Sequence, residues 1–195
     1  MVLPIVAYGH PTLRKVAAEI DRNYPNLDLL IHDMFETMYA SSGVGLAAPQ
    51  VNLSIRLMVI DANPFADDIP EAEGFKKVFI NPYIIEEGGD EWTFNEGCLS
   101  IPDIREDVVR KQFIRIQYFD EHWNFHDETY SSVMGRIIQH EYDHLEGILF
   151  VDRVNSIRKV LLRKRLQDIS QGKIQVEYKM IFPGQKKRGR KVVTK

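Results

Sequence analysis

Apolar and polar positions along this chain follow two different periods, and the changes of period mark its elements. Leu27, Leu30, Ile31, Met34 and Met38 fall at the spacing of one helical face, predicting an amphipathic helix over 26–39. Pro25 stands before it and Gly43 after it, as helix punctuation requires, and His32 lies off the apolar face. Short strand-like runs follow at Arg56–Ile60, Val78–Ile80 and Ile84–Ile85. Phe113–Phe119 alternates Ile114, Ile116 and Tyr118 against Arg115 and Gln117, predicting a strand with one buried face. Ser131 or Ser132 caps a second helix that runs to about Leu145, with Gly147 placed to end it. Val133, Ile137, Ile138 and Leu145 keep helical spacing within it. A basic helix over 155–169 and a closing strand over 175–182 complete the pattern. The fold class is α+β, with mostly antiparallel strands around a central helix. We expect one domain over 1–182 and a mobile basic tail over 183–195.

Composition narrows this picture without changing it. The chain has 195 residues, 44% hydrophobic, which is enough for a full core, and no apolar run long enough to cross a membrane. The first residues carry neither a charged leader with an apolar core nor an Arg-rich transit pattern, so a cytoplasmic location is expected. Charge is lopsided. Residues 1–152 hold 11 basic and 26 acidic side chains, residues 153–195 hold 14 and 2. Such asymmetry points to a polyanionic partner for the C-terminal segment, or to a solubilising end.

The chemistry concentrates in three places. His140-Glu141-Tyr142-Asp143-His144 is an HExxH on the second predicted helix, which puts the two imidazoles one turn apart on one face. Two imidazoles so placed hold one divalent metal, and Glu141 is near enough to handle the protons of a bound water. A third ligand is then needed. The HExxHxxGxxH peptidases take theirs six residues after the second His, where this chain has Phe150, which cannot ligate. The single cysteine, Cys98 in Glu96-Gly97-Cys98-Leu99-Ser100, is inert filler, a reactive thiol or a ligand. Beside a two-histidine helix short of one ligand, the third reading leads. Gly43-Val44-Gly45-Leu46-Ala47-Ala48-Pro49-Gln50 is a small-residue segment that can run close to a substrate, and Gln50 offers an amide donor for an oxyanion.

Together GVGLAAPQ (43–50), EGCLS (96–100) and QHEYDH (139–144) resemble the signature motifs of the peptide deformylase family, in order and at comparable separations. The resemblance runs from Pro4 to Phe150. It implies an enzyme that removes the N-formyl group from nascent polypeptides beginning with formyl-methionine and releases formate. It implies Cys98, His140 and His144 as metal ligands, Glu141 as general acid/base, and the Gln50 side chain with the Leu99 backbone N–H as the oxyanion hole. Gly45 would approach the substrate backbone, Arg105 would contact bound peptide, and Val44, Phe94, Val133 and Ile137 are candidates for the methionine pocket. Metal-bound hydroxide would attack the formyl carbon. Iron(II) is the metal expected in the cell, with zinc, nickel or cobalt in purified protein.

Two other classes compete. An endopeptidase using the same HExxH is disfavoured by Phe150. A non-catalytic RNA-binding protein with a structural metal would need a fourth protein ligand, for which only His10, His122 and His126 remain. The resemblance also suggests ribosome docking through the basic 153–195 segment. A monomer is expected, since no heptad repeat is present.

Overall fold

The computed structural model describes residues 1–184; residues 185–195, nearly all of the predicted tail, lie outside the described residues. The elements run β1 (Ile5–Val6), α1 (Leu27–Ala40), β2 (Gly45–Ala47), β3 (Leu57–Asp61), β4 (Lys76–Cys98), β5 (Ile101–Phe119), β6 (Phe125–Ser131), α2 (Ser132–Leu145), α3 (Phe150–Arg153), α4 (Ser156–Ser170) and β7 (Met180–Ile181). β2 to β6 form one antiparallel sheet in sequence order. β1 and β7 pair separately and in parallel. The architecture is α+β.

The sheet separates two helices by its period of two. Met58 and Ile60 of β3 join Phe79, Ile114, Ile116 and the α2 residues Val133, Ile137 and Ile138 in one cluster. Leu57 and Val59 point the other way and meet Leu27, Ile31, Met34 and Met38 of α1. Buried on both faces, β3 reads as a continuous apolar run rather than an alternation. A third cluster sets α3 and α4, with Phe150, Leu162 and Leu166, against Ile101, Ile104 and Val108 at the start of β5. Complete burial of one such side chain, Ile138 for example, stabilises the fold by about 1.5–3 kcal/mol.

Several elements differ from the pattern prediction. Val78–Ile80 and Ile84–Ile85 belong to one long strand, β4, whose register shifts four times against β5. Its outer half is charged and exposed, so pairing with β5 rather than an apolar face defines it. β5 begins at Ile101, twelve residues before the alternating run, because its buried phase includes Glu106 and Arg110. β6 is an edge strand of polar residues, which no apolar alternation marks in the sequence. The closing strand shrinks to Met180–Ile181, since its partner β1 is only two residues long, bounded by Pro4 and by Gly9 at φ 88°. His126 on β6 is half-buried and bonds Asp120 at 2.9 Å.

Helix ends position the site. Gly147, at φ 71°, terminates α2, with Ile148 N–H donating to the Asp143 carbonyl at 2.9 Å and Gly147 N–H to that of His144 at 3.4 Å. A Cβ at Gly147 would stand 2.9 Å from the Arg14 backbone, so only glycine fits there. Asn155 caps α4 by accepting from the Arg158 N–H at 2.9 Å.

Candidate active site

α2 presents His140, Glu141 and His144 on its buried side, toward the tip of the β4–β5 hairpin. There Cys98 pairs with Ile101 across the two-residue turn Leu99-Ser100. One ligating atom each from Cys98, His140 and His144 lie within 4.8 Å of one another, a group that could hold a metal ion. The Cys98 Sγ is 3.3 Å from His144 Nε2. A thiolate and two imidazoles suit a borderline-soft divalent cation. Phe150, at the position where a peptidase would place its third ligand, stacks against the His140 ring with centroids 6.0 Å apart. His10 accepts from Thr12 N–H at its own turn and His126 bonds Asp120, so neither reaches the cluster; His122 is exposed.

The ligand group has charged supports that sequence reasoning missed. Glu96 Oε2 is 2.8 Å from His140 Nδ1, and the same carboxylate accepts two bonds from Arg110, at 2.7 and 2.9 Å, and one from Arg136 at 3.0 Å. Arg110 also reaches Asp143 Oδ2 at 2.7 Å, and Arg153 closes on Asp143 from α3. Although burial opposes it, Arg110 and His140 hold the Glu96 carboxyl well below the usual carboxylate range. Burial also works against a charge on His140, but the Cys98 sulfur and Glu96 outweigh it and raise its pKa well above the usual value. His144 goes the other way: burial, and then the His140 charge, lower it well below the usual value. The one available sequence signal for these supports was charged residues, Glu106 and Arg110, in the buried phase of an alternating strand.

Glu141 is buried, and its Oε2 has no hydrogen-bond partner. Burial, reinforced by the Glu96 charge and opposed by His140, pushes its carboxyl up to about 7. A carboxylate oxygen left bare at the edge of a Cys-His-His group is what a catalytic or metal-water site requires. Gly45 makes room for it, because a Cβ there would sit 2.5 Å from Glu141 Oε1. Gln50 lies in the short turn after β2. Its Oε1 accepts from the Ala47 N–H at 2.8 Å, which fixes the amide so that Nε2 faces Cys98 Sγ at 3.5 Å.

These groups open onto a cleft of about 660 Å³. Val44, Gly45, Gln50, Phe94, Cys98, Leu99, Arg105, Ile137, His140 and Glu141 lie on its walls. Val133, one turn before Ile137, packs into the α2 core cluster instead of facing the cleft, because it turns toward the sheet. Arg105 is exposed and tied to Asn95 through its side chain at 2.9 Å and its carbonyl at 2.6 Å. Phe65, Gln175, Val176, Glu177 and Tyr178 also line the cleft and were not singled out by sequence.

An α+β fold with a Cys-His-His group, a carboxylate oxygen without a partner beside it and an adjacent cleft defines a hydrolase-type centre. The polypeptide deformylase family model matches residues 2–160. A peptide deformylase from Christiangramia forsetii is 58% identical over 96% of this chain and 99% of its own, and one from Flavobacterium johnsoniae is 53% identical over the same shares. Among solved structures, a peptide deformylase from Legionella pneumophila superposes with a TM-score of 0.77 at 34% identity, covering 89% of this chain and 98% of its own. The chain belongs to the polypeptide deformylase family. It is an amidohydrolase that removes N-formyl groups from nascent peptides.

Proposed function

We propose that this enzyme acts on formyl-methionine at the peptide N-terminus with one divalent metal held by Cys98, His140 and His144. The observation that carries the reading is the convergence of these three ligating atoms beside Glu141, whose buried Oε2 has no partner. Bound there, the cation supplies Lewis acidity, which makes water nucleophilic near neutral pH. Glu141 takes the proton released by the attacking water and returns it to the leaving amine as the formyl C–N bond breaks, so that formate and a free amine result. The Gln50 Nε2 donates to the developing oxyanion, with the Leu99 N–H as its second donor. The methionine side chain lies against Val44, Phe94 and Ile137, with Val133 supporting Ile137 from behind; Gly45 and Arg105 flank the peptide backbone. A formyl carbon bears only hydrogen, so a site fitted to it excludes the bulkier acyl groups of internal peptide bonds.

Iron(II) is the metal we propose for the cell, with zinc, nickel or cobalt able to replace it. The catalytic domain spans 1–182, and the enzyme works as a cytoplasmic monomer. Among the described residues no helix is long and apolar enough to cross a membrane. The exposed basic side chains of α4, with Arg158, Lys159, Arg163, Lys164 and Arg165, would dock on the ribosome, where phosphate charge favours them. The test is formate release from a formyl-Met peptide by anaerobically prepared iron- or nickel-loaded protein beside Glu141→Ala. Rapid release that the variant loses supports the reading; none from folded, metal-replete protein overturns it.

A further inference from the structure

The turn that carries Leu99 is pinned from two distant parts of the chain. The Ser100 carbonyl accepts from the Tyr8 N–H at 2.8 Å. The Leu99 carbonyl accepts from the Tyr178 hydroxyl at 2.7 Å, across 79 positions of sequence. Tyr178 is half-buried and lies on the cleft wall with Gln175, Val176 and Glu177. Its own placement is fixed by the β1–β7 ladder just after it, where Ile5 N–H donates to the Lys179 carbonyl at 2.8 Å and Ala7 N–H to that of Ile181 at 2.9 Å. The segment over 175–181 is therefore strapped to β1 near the start of the chain and touches the site at one polar contact. It lies beyond the residues that the family model matches.

A two-residue turn at a hairpin tip has few ways to hold its peptide planes. The Leu99 side chain supplies one constraint, by packing close to Gly43, where a Cβ would come within 2.8 Å of Leu99 Cδ1. The peptide plane after Leu99 is held by the phenol. That plane meets the one before it, which carries the Leu99 N–H, at the Leu99 Cα, so the phenol's hold on the carbonyl also restrains the N–H. We propose that Tyr178 is a positioning residue for deformylation: its hydroxyl locks the Leu99 peptide and so aims the Leu99 N–H at the developing oxyanion. This rests on the role proposed above for Leu99. The strap thereby links completion of the C-terminal fold to full activity.

The experiment is Tyr178→Phe, which removes one oxygen and keeps the ring. Formate release is measured for a formyl-Met peptide over a range of concentrations, with metal content and melting temperature recorded for the same preparations. One hydrogen bond of ordinary strength predicts a fall in kcat of roughly 3- to 10-fold. KM should stay within about twofold of the wild type, because ground-state contacts are untouched. Metal content should stay unchanged, and the melting temperature should fall by no more than the few degrees that one hydrogen bond is worth. Tyr178→Leu, which keeps an apolar side chain without the hydroxyl, should lose at least as much in kcat. An unchanged kcat in Tyr178→Phe, or a loss carried entirely by KM or by metal content, overturns the proposal. If the wild type itself releases no formate, the failure belongs to the function proposed above.

Discussion

Glu96 Oε2 stands 2.8 Å from His140 Nδ1 while Arg110 and Arg136 hold the same carboxylate from the other side. That single buried carboxylate, 4% exposed, orients a ligand candidate and compensates two buried guanidinium groups. Glu96→Gln keeps the shape but removes the charge. A lost orienting partner weakens metal binding by about 10- to 100-fold, which chelator competition measures. Arg110 keeps Asp143, but Arg136 loses its carboxylate partner, which should also cost up to about 3–5 kcal/mol in a denaturant melt. Unaltered metal affinity would show that His140 needs no help from Glu96.

Gly45 serves Glu141 before it serves any substrate. Its φ is not in the left-handed region, so alanine meets no backbone strain there, and the clash with Glu141 acts alone. Gly45→Ala should displace the carboxylate and reduce formate release toward the level of Glu141→Ala, a loss of about 10²-fold or more. The overpacking itself should cost about 1–3 kcal/mol. Near-normal turnover in a stably folded Gly45→Ala would mean that Glu141 works equally well from another position.

How much of this was legible in sequence follows from how local each feature is. The helices α1 and α2 are visible because their faces repeat every three to four residues and Pro25, Gly43 and Gly147 punctuate them. The residues Cys98, His140, Glu141 and Gln50 stand out because each sits in a compact motif whose chemistry reads from neighbours. Glu96 stood in one of those motifs, yet its partners Arg110, Arg136 and His140 lie 14, 40 and 44 positions away. The pairing of β4 with β5 brings Arg110 to it, and the packing of α2 against the sheet brings Arg136 and His140. The outer half of β4 was invisible for the opposite reason: Glu86, Glu87, Asp90 and Glu91 have no buried face to alternate against. Tyr178 looked like one more residue of a strand, because nothing local marks a side chain whose partner is 79 positions upstream.

Gln50 tests the electrostatic part of the mechanism by itself. Its Oε1 is committed to the Ala47 N–H, so the only free donor is Nε2, near Cys98. Gln50→Ala removes that donor, and its 3.5 Å contact with Cys98 Sγ, while keeping all three ligand candidates. Loss of one oxyanion donor lowers kcat by about 10² to 10³. Single-turnover formate release with metal content held equal measures it, and a loss below about threefold would assign the oxyanion to other groups.

The turn beneath α2 gives the enzyme an acid limit that does not involve the metal group. Asp152 accepts from Arg14 Nη1 at 2.5 Å and Nη2 at 3.1 Å, and from the Leu149 N–H at 2.8 Å. Arg14 also donates to the Gly147 carbonyl at 3.3 Å, so this pair braces the end of α2. Partial burial opposes ionisation of Asp152, but Arg14 and the Leu149 N–H outweigh it and lower its pKa below the ordinary 3.8. For a depressed carboxyl the stabilisation is fully present above the unfolded-state pKa and is lost as pH falls through the folded-state one. Asp152→Asn should therefore be less stable than the wild type at neutral pH, and the gap should close below about pH 4. Both partners are more than a third exposed, so salt should narrow the neutral-pH gap as well. Urea melts of the two proteins from pH 7 down to pH 3 measure it, and a gap that stays constant across that range would remove Asp152 ionisation from the stability of the α2 terminus.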